Sequence, residues 1–265
     1  MKKLKILTWN INSIRSRIGQ LNQLIADEQP DIILLQETKC EARQFPLHAI
    51  NESNKYNVSV NSQKSYNGVA ILSKFPLEDV KVNFIGNPCP DQARFIEACC
   101  LTEVGYIKII SVYVPNGGEV GSDKFQVKLL FMNSFTKYLN DIKAPEELII
   151  VGGDFNIAAY DNDVYSAADL QNSTCFTLSE RQALRELIIN YDFMDIYRLL
   201  HPDKKEFTWW DYRAGAFEKN LGMRIDYVFG TVNIAQKAID CHINYHTRSN
   251  SKASDHAPII TVFSE

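Results

Sequence analysis

Residues 31–38 read DIILLQET, and this stretch decides the fold class. Its four consecutive apolar residues suit a β-strand that is covered on both faces, and the polar residues that follow mark the end of the strand. Before it, LKILTW at residues 4–9 predicts another strand, and apolar residues at helical spacing behind Ser13, a candidate N-cap, predict a helix that Pro30 ends. We therefore expect an α/β fold made of packed layers.

Further strands are predicted by stretches rich in Val, Ile, Tyr and Phe, namely NVSV, NGVAILS, RFIEACCL, YIKIISVYV, ELIIVGGD, RIDYVFG and APIITVF. Two more helices are expected, one over residues 122–141 and one from Thr177, where Thr177 and Glu180 form a capping-box pattern. The regular alternation of a doubly wound sheet is absent. This favours two packed, largely antiparallel or mixed sheets with helices on their outer faces, in one domain over residues 1–265.

The composition, with 45% hydrophobic and 23% charged residues among 265, is that of an ordinary globular protein. No run approaches the roughly 18 apolar residues of a membrane helix, and the first apolar stretch is too short for a signal peptide, so we expect a cytoplasmic protein. The formal charge of −4 argues against binding nucleic acid by overall positive charge. The six cysteines show no metal or disulfide spacing, which predicts buried thiols.

Polar residues gather where the predicted strands stop. The segments are WNIN (9–12), QET (36–38), YVPNGG (113–118), GGDFN (152–156), RID (224–226) and SDHAP (254–258). Each alone is an ordinary turn sequence, but strand ends on one edge of a sandwich can converge in space. Together they supply carboxylates, amides, one Tyr and one His without a nucleophilic Ser or Cys motif. Hard cations such as Mg²⁺ prefer such oxygen ligands, so the pattern favours hydrolysis of a phosphate ester.

The segments WNIN, LLQETK, NGVAILSK, YVPNGG, GGDFNI, FTWWDYR, GMRIDYV and SDHAPI occur in the order found in one family. Over nearly its whole length the chain resembles the exonuclease III and abasic-site endonuclease family of the endonuclease/exonuclease/phosphatase superfamily, in its bacterial form. The resemblance implies a four-layered α/β sandwich and a monomeric, Mg²⁺-dependent DNA repair phosphodiesterase, with Mn²⁺ as a possible substitute. It implies incision of double-stranded DNA at abasic sites, 3′-5′ exonuclease activity and 3′-phosphatase activity.

The resemblance also implies a metal site. Glu37 in QETK would be the principal Mg²⁺ ligand, and Asn10 and Asn12 of WNIN would line the same pocket. Asp255 in SDHAP would lie in or near the outer shell of the metal.

The catalytic groups follow from the same motifs. Asp154 would activate the water, and Asn156 would donate to a non-bridging phosphate oxygen. Tyr113 would contact the phosphate. His256 would bind the scissile phosphate, oriented by Asp226, whose carboxylate favours the imidazolium form.

Substrate contacts are expected on two sides of this centre. Trp209, Met223 and Ile225 match a small apolar pocket for a flipped-out sugar without a base, although paired tryptophans are also common in protein cores. The residues expected to contact the DNA backbone are Asn116, Arg94 and Lys124, with Lys128, Arg213 and Arg224 as further candidates for phosphate contacts.

Two alternatives share part of this pattern. A relative that acts on inositol phosphates or sphingomyelin would retain Glu37, Asp154, Asn156 and the SDH segment, but FTWWDYR and GMRID speak against it. A DNA-binding protein without catalysis is disfavoured because every residue expected for turnover is present. Without the site acids Glu37, Asp154, Asp226 and Asp255, 28 of the 32 acidic residues remain, against 28 Lys and Arg, which predicts a neutral scaffold with a basic DNA-facing side.

Overall fold

A computed structural model describes residues 2–144, 146–190 and 192–265. The strands are β1 (Lys3–Asn10), β2 (Ile32–Gln36), β3 (Asn57–Asn61), β4 (Val69–Ser73), β5 (Glu78–Lys81), β6 (Phe95–Thr102), β7 (Gly105–Tyr113), β8 (Leu148–Asp154), β9 (Phe193–Asp195), β10 (Trp209–Trp210), β11 (Gly222–Met223), β12 (Asp226–Thr231), β13 (Ala238–Ile243) and β14 (Ile259–Ser264). The α-helices are α1 (Ile14–Glu28), α2 (Leu47–Asn54), α3 (Asp123–Ile142), α4 (Ala167–Leu170), α5 (Leu178–Asn190), α6 (Ile196–Leu200), α7 (Val232–Ala235) and α8 (Tyr245–Ser249).

Two six-stranded sheets form the centre of the molecule, in the orders β13-β14-β1-β2-β4-β3 and β5-β6-β7-β8-β12-β9. Each sheet contains one parallel pair, β1 with β2 and β7 with β8, and its other pairs are antiparallel. The inner faces of the two sheets share one apolar core, to which Leu34 and Ile71 contribute from one side and Ile109 and Ile150 from the other. The prediction of two packed mixed sheets is confirmed.

Helices cover both outer faces. The apolar faces of α1 and α2 pack on the first sheet, where Leu21 and Ile50 join the same buried cluster as Ile33. Helices α3 and α5 cover the second sheet, where Phe135 and Leu184 lie in one cluster with strand residues of β7, β8 and β12. The molecule therefore consists of four layers, helix, sheet, sheet and helix. All five residues of β2 are buried, as the apolar run at residues 32–35 predicts.

Helix ends follow the predicted pattern with one difference. Helix α1 begins directly after Ser13, but the Ser13 side chain makes no capping hydrogen bond, and its hydroxyl pairs with that of Ser16 at 3.0 Å. The capping box of α5 is present, since the Thr177 backbone N–H donates to Glu180 Oε2 at 3.0 Å and the Glu180 N–H donates to Thr177 Oγ1 at 3.3 Å. A carboxylate at this position satisfies donors that the first helical turn leaves unpaired.

The six cysteines are buried and unpaired, as expected. Cys100 faces the core between the sheets, whereas its neighbour Cys99 lies outside that core cluster, because successive strand residues point to opposite faces. Within the described ranges, no helix has both the length and the apolar character needed to cross a membrane.

Candidate active site

The polar residues at the strand ends lie together at one end of the sandwich. The two parallel strands of each sheet finish there, β1 at Asn10 beside β2, and β7 beside β8 at Asp154. Strands β12 and β14 run antiparallel to these neighbours, so they begin at the same end, where Asp226 pairs with Asp154 and His256 precedes β14. The sheet topology therefore brings together residues that are far apart in sequence.

A cavity of about 350 Å³ opens at this end. Most of its lining consists of residues that were predicted for the site, namely Glu37, Tyr113, Asn116, Asp154, Asn156, Trp209, Met223, Ile225, Asp255 and His256. Thr174 and Cys175 complete the lining. Three further predicted residues lie behind this lining and hydrogen-bond to it. They are Asn10, which bonds to Glu37 and Asp154, Asn12, which bonds to Asp255, and Asp226, which bonds to His256.

One amide group links the two sheets at the floor of the cavity. Asn10 Nδ2 donates to Glu37 Oε1 at 2.8 Å and to Asp154 Oδ2 at 2.9 Å, so two carboxylates from different sheets meet at one nitrogen. Asn10 Oδ1 accepts the backbone N–H of Asn12 at 3.1 Å. Asn10 is fully buried, and its amide is fixed at both ends. Its amide nitrogen thus holds the two carboxylates in place.

His256 lies between two buried carboxylates. Its Nδ1 donates to Asp226 Oδ2 at 2.8 Å, and its Nε2 lies 3.7 Å from Asp154 Oδ2. Burial alone lowers the pKa of His256, but the negative charges of Asp226 and Asp154 outweigh it and raise that pKa to about 10. The ring is therefore an imidazolium at neutral pH.

Asp154 is 1% exposed. Burial raises the pKa of its carboxyl to about 7, with the His256 charge opposing the shift and the Asp226 charge adding to it. Its other oxygen, Oδ1, accepts the Asn156 backbone N–H at 2.8 Å. One ligand atom from each of Asp154, Asp226 and His256 lies within 4.8 Å of the others, but Asp226 and His256 already bind each other. A hydrogen bond joins Asp226 to His256, His256 Nε2 lies 3.7 Å from Asp154 Oδ2, and both His256 and Asp154 line the cavity.

Glu37 follows β2 with a left-handed backbone (φ 51°), which turns its carboxylate towards the cavity. Its Oε2 pairs with Lys39 Nζ at 2.7 Å. Burial acts to raise the pKa of Glu37, but the Lys39 ammonium and the Asn10 amide outweigh burial and hold that pKa below its usual value. Glu37 is therefore ionised at neutral pH and partly open to the cavity, which suits a hard cation.

Asn12 and Trp209 hold Asp255 from two sides. Asn12 Nδ2 donates to Asp255 Oδ1 at 2.9 Å, and Trp209 Nε1 donates to Asp255 Oδ2 at 3.0 Å. Asn12 Oδ1 accepts from Lys39 Nζ at 2.6 Å. Both carboxylate oxygens of Asp255 thus accept hydrogen bonds that fix its orientation.

Two asparagines form the polar wall beside Asp154. Asn156 also has a left-handed backbone (φ 52°), and its Nδ2 donates to Val114 O at 3.0 Å and to Asp154 Oδ2 at 3.3 Å. Asn116 Nδ2 donates to Asn156 Oδ1 at 3.0 Å. Next to them the pKa of Tyr113 is raised well above its usual value, chiefly by burial and then by the charges of Glu37 and Asp154. The Tyr113 hydroxyl therefore stays protonated and can donate.

The opposite wall is apolar. Trp209 and Met223 pair across the two-stranded sheet β10–β11, and Ile225 follows, with Met223 8% and Ile225 2% exposed. They pack in one cluster with Phe176, which precedes α5. Trp210, in contrast, is completely buried in the main core. Of the two adjacent tryptophans, one lines the cavity and the other is a core residue.

A second cavity of about 440 Å³ adjoins the first through Asn116. Arg94 and Lys124 line it, together with Gln92 and Cys89. The Arg94 guanidinium lies over the Tyr113 ring, 4.7 Å from its centroid. The two predicted backbone-contacting cations are therefore neighbours of the site rather than parts of its floor.

Two candidate phosphate contacts are wrong. Lys128 and Arg224 are both completely buried, and their charges are neutralised inside the protein. Arg224 donates to Asp163 at 2.8 Å and to Asp195 at 2.7 Å, and its guanidinium lies 4.5 Å from the centroid of the Tyr227 ring. Lys128 pairs with Glu180.

The third candidate, Arg213, is exposed and pairs with Asp211 at 2.8 Å. Sequence reasoning missed Lys39, Thr174 and Cys175 at the site. Lys39 stands in the quoted LLQETK motif, so its position beside Glu37 could have drawn attention to it. No spacing or motif marks Thr174 or Cys175, because a loop and not a strand end carries them.

Comparison with known proteins agrees with this geometry. A family model described as the Endonuclease/Exonuclease/phosphatase family matches residues 7–256. Exodeoxyribonuclease III of Haemophilus influenzae is 33% identical over 98% of this chain and 100% of its own length. An AP endonuclease of Archaeoglobus fulgidus has a TM-score of 0.93 and 36% identity, covering 99% of this chain and 100% of its own. The 3′ phosphatase NExo from Neisseria, solved bound to a product DNA hairpin, has a TM-score of 0.94 and 33% identity, with coverage of 99% and 100%.

The four-layered sandwich, with two carboxylates and an imidazolium converging at its end, defines a phosphoester hydrolase. The chain belongs to the endonuclease/exonuclease/phosphatase family. Within that family its relatives are exodeoxyribonuclease III and the AP endonucleases, and the protein is a DNA repair nuclease of this group. The predicted resemblance and fold class are confirmed.

Proposed function

We propose that the protein is a Mg²⁺-dependent phosphodiesterase that incises double-stranded DNA on the 5′ side of abasic sites and removes nucleotides, phosphates and other blocking groups from 3′ ends. One observation carries this proposal. A single cavity holds two carboxylates joined by the Asn10 amide, the His256 imidazolium, and an apolar wall. The names of the relatives, an AP endonuclease, an exodeoxyribonuclease and a 3′ phosphatase, support the same set of reactions.

The donor set fits a hard divalent cation. Glu37 is ionised and partly exposed to the cavity, and Asp154 lies across the shared Asn10 amide. Glu37 would hold Mg²⁺ or Mn²⁺, with Asp255 oriented by Asn12 and Trp209 behind it. Bound there, the cation would supply positive charge that offsets the negative charge developing on the phosphate.

Asp154 is the group proposed to activate water. Its pKa of about 7 is suited to a base that works near neutral pH, and the Asn10 amide and the Asn156 N–H hold its two oxygens. The water oxygen attacks phosphorus, its proton passes to Asp154, the bond from phosphorus to the 3′ oxygen breaks, and the leaving 3′ oxygen takes a proton from solvent water. The products carry a 3′-hydroxyl and a 5′-phosphate.

His256 and Asn156 are proposed to bind the scissile phosphate. The imidazolium of His256 is fixed by Asp226 and lines the cavity beside Asp154, where its positive charge would offset the negative charge that develops on the phosphate. The Nδ2 group of Asn156 can exchange its longer bond to Asp154, at 3.3 Å, for a non-bridging oxygen. Tyr113, kept protonated, adds a third donor.

The choice of an abasic site rests on the wall formed by Trp209, Met223 and Ile225. This apolar wall suits a deoxyribose without a base, and an abasic nucleotide has already lost the stacking that resists extrusion. Arg94 and Lys124 in the adjoining cavity are proposed to bind backbone phosphates of the duplex. A monomeric state, a cytoplasmic location and a single domain over residues 1–265 remain predictions.

The test is an incision assay on a duplex that carries one tetrahydrofuran abasic analogue. We expect cleavage 5′ of the analogue with Mg²⁺, none with excess chelator, and much slower cleavage of the matched undamaged duplex. Tight binding without cleavage at any cation concentration would instead indicate an inactive DNA-binding protein. Turnover of inositol phosphates or sphingomyelin, with the DNA intact, would indicate the other branch of the superfamily.

A further inference from the structure

Lys128, midway along the amino-terminal half of α3, is completely buried directly behind the polar wall of the cavity. Its ammonium donates to the backbone carbonyl of Asn116 at 3.0 Å and to that of Asn156 at 2.7 Å. The third donor pairs with the Glu180 carboxylate, which is equally buried. A lysine has three N–H donors, so this ammonium is fully satisfied and is not available to substrate.

Glu180 carries the connection to a third loop. Its Oε1 accepts the backbone N–H of Cys175 at 3.0 Å, and its Oε2 accepts the backbone N–H and the hydroxyl of Thr177 at 3.0 and 2.6 Å. Cys175 lines the cavity. The Lys128–Glu180 ion pair therefore binds the backbones of three segments that line the site, around residues 116, 156 and 175.

The Lys128 side chain also fits closely against the loop that carries Asn116. Gly117 has a positive φ of 89°, and a Cβ atom at this position would lie 2.8 Å from Lys128 Cδ. The loop backbone thus rests on the lysine stem, and the side chains of Asn116 and Asn156 bind each other in front of it at 3.0 Å. The relative position of the two asparagines is fixed from both sides.

We propose that Lys128 is a positioning residue, which together with Glu180 fixes Asn156 and Asn116 against the scissile phosphate without touching it. The inference rests on the proposed role of Asn156. Stability alone does not account for the pair, since replacing a buried ion pair by uncharged side chains of similar volume is often neutral or stabilising. The placement of Asn156 does account for the pair, because a displacement of about 1 Å in a group that contacts the reacting phosphate can lower the rate about 10²-fold.

The test compares four proteins, the wild type, Asn156→Ala, the pair variant Lys128→Met/Glu180→Gln, and the combination of all three substitutions. The pair variant removes both charges together, because a single substitution would leave an uncompensated buried charge. Tyr138→Phe is the matched control, since it removes a buried hydrogen bond to Glu97 ten positions further along the same helix. Incision rates, DNA affinity in chelator and melting temperatures are measured for each.

We expect the pair variant to melt within a few degrees of the control and to bind DNA within about threefold of the wild type, while kcat falls by about 10- to 100-fold. In the pair variant, the decrease in kcat caused by Asn156→Ala should be at least about fivefold smaller than in the wild type, because the contact of Asn156 with the phosphate is already misplaced.

A folded pair variant with kcat within about twofold of the wild type, or full additivity with Asn156→Ala, would overturn the positioning role while leaving the proposed function intact. If Asn156→Ala alone had no effect on the incision rate, both the proposed phosphate contact of Asn156 and the positioning role of Lys128 would be refuted.

Discussion

Trp209 Nε1 donates to Asp255 Oδ2 at 3.0 Å, so a residue of the apolar wall holds a carboxylate on the cation side of the site. The same carboxylate is held by Asn12. The proposed lesion pocket and the proposed metal site therefore share a hydrogen bond.

Trp209→Phe keeps an apolar ring and removes this donor. We expect a several-fold rise in the Mg²⁺ concentration that gives half-maximal incision, because Asp255 loses one of its two fixed partners. A Mg²⁺ titration of the incision rate measures the change. Trp210→Phe is the control, since Trp210 lies in the core and should change the melting temperature without changing the Mg²⁺ requirement. Equal Mg²⁺ requirements in all three proteins would refute a role of the Trp209–Asp255 hydrogen bond in cation binding.

The pH dependence follows from Asp154 and His256. Asp154 must be ionised to accept a proton, so kcat should rise with pH through about 7. It should fall again as His256 loses its proton near pH 10. Because the pKa of His256 lies above its ordinary 6.5, its ion pair stabilises the fold fully below about pH 6.5, and this contribution is lost as the pH rises through about 10.

Asp226→Asn removes the charge that favours the imidazolium. We expect the basic limb of the pH-rate profile to move to lower pH, and kcat at neutral pH to fall by about 10- to 100-fold, because the ring loses both its charge partner and its fixed orientation. Rates measured from pH 6 to 10.5 would reveal the shift. An unchanged profile with full activity would mean that the pair has no catalytic role.

Asn10→Asp replaces the shared amide donor by a third carboxylate beside Glu37 and Asp154. Like charges at this distance should raise the pKa of Asp154 further and move the acidic limb of the profile to higher pH. We expect incision at pH 7 to fall by about 100-fold or more, because Asp154 also loses its hydrogen bond. Steady-state rates at pH 7 and pH 9 measure this, and partial recovery at the higher pH is the distinguishing result.

Two arginines test the correction to the predicted phosphate contacts. Arg224→Met leaves the Asp195 carboxylate buried without its cation, while Asp163 keeps its pair with Arg198, and should lower the free energy of unfolding by about 3–5 kcal/mol. Arg213→Ala removes an exposed ion pair with Asp211 and should change the free energy of unfolding by no more than about 0.5 kcal/mol. Urea unfolding followed by circular dichroism measures both values, and equal stabilities would contradict the assignment of Arg224 to the core.

The main strands and the gathering of polar residues at their ends could be predicted from the sequence. An apolar run such as residues 32–35 suits a covered strand, and the polar residues that follow it, such as Glu37, mark the end of that strand. The strands β9, β10 and β11 could not be predicted, since two or three residues carry no periodic pattern. Tertiary pairing alone creates them.

Charged residues in the interior were equally beyond prediction. Lys128 lies between Val127 and Leu129 and Arg224 between Met223 and Ile225, but cations are seldom buried unless they are paired, and no local pattern shows the pairing. Their partners Glu180, Asp163 and Asp195 come from other elements, so the pairing exists only after folding. The hydrogen bond of the Trp209 indole to Asp255 could not be foreseen for the same reason.

The two-stranded sheet β10–β11 stands outside both large sheets, and a bridge between Trp209 and His256 links it to the segment before β14. The proposed lesion pocket and the strands that hold Asp154 and Glu37 thus belong to different sheets, and the Trp209–Asp255 hydrogen bond connects the two. The cavity-lining side chains of this small sheet, unlike the core residue Trp210, can change without disturbing the strands that hold Asp154 and Glu37. A single ancestral phosphate-cleaving centre could in this way serve damaged sugars, blocked 3′ termini or intact ends in different descendants.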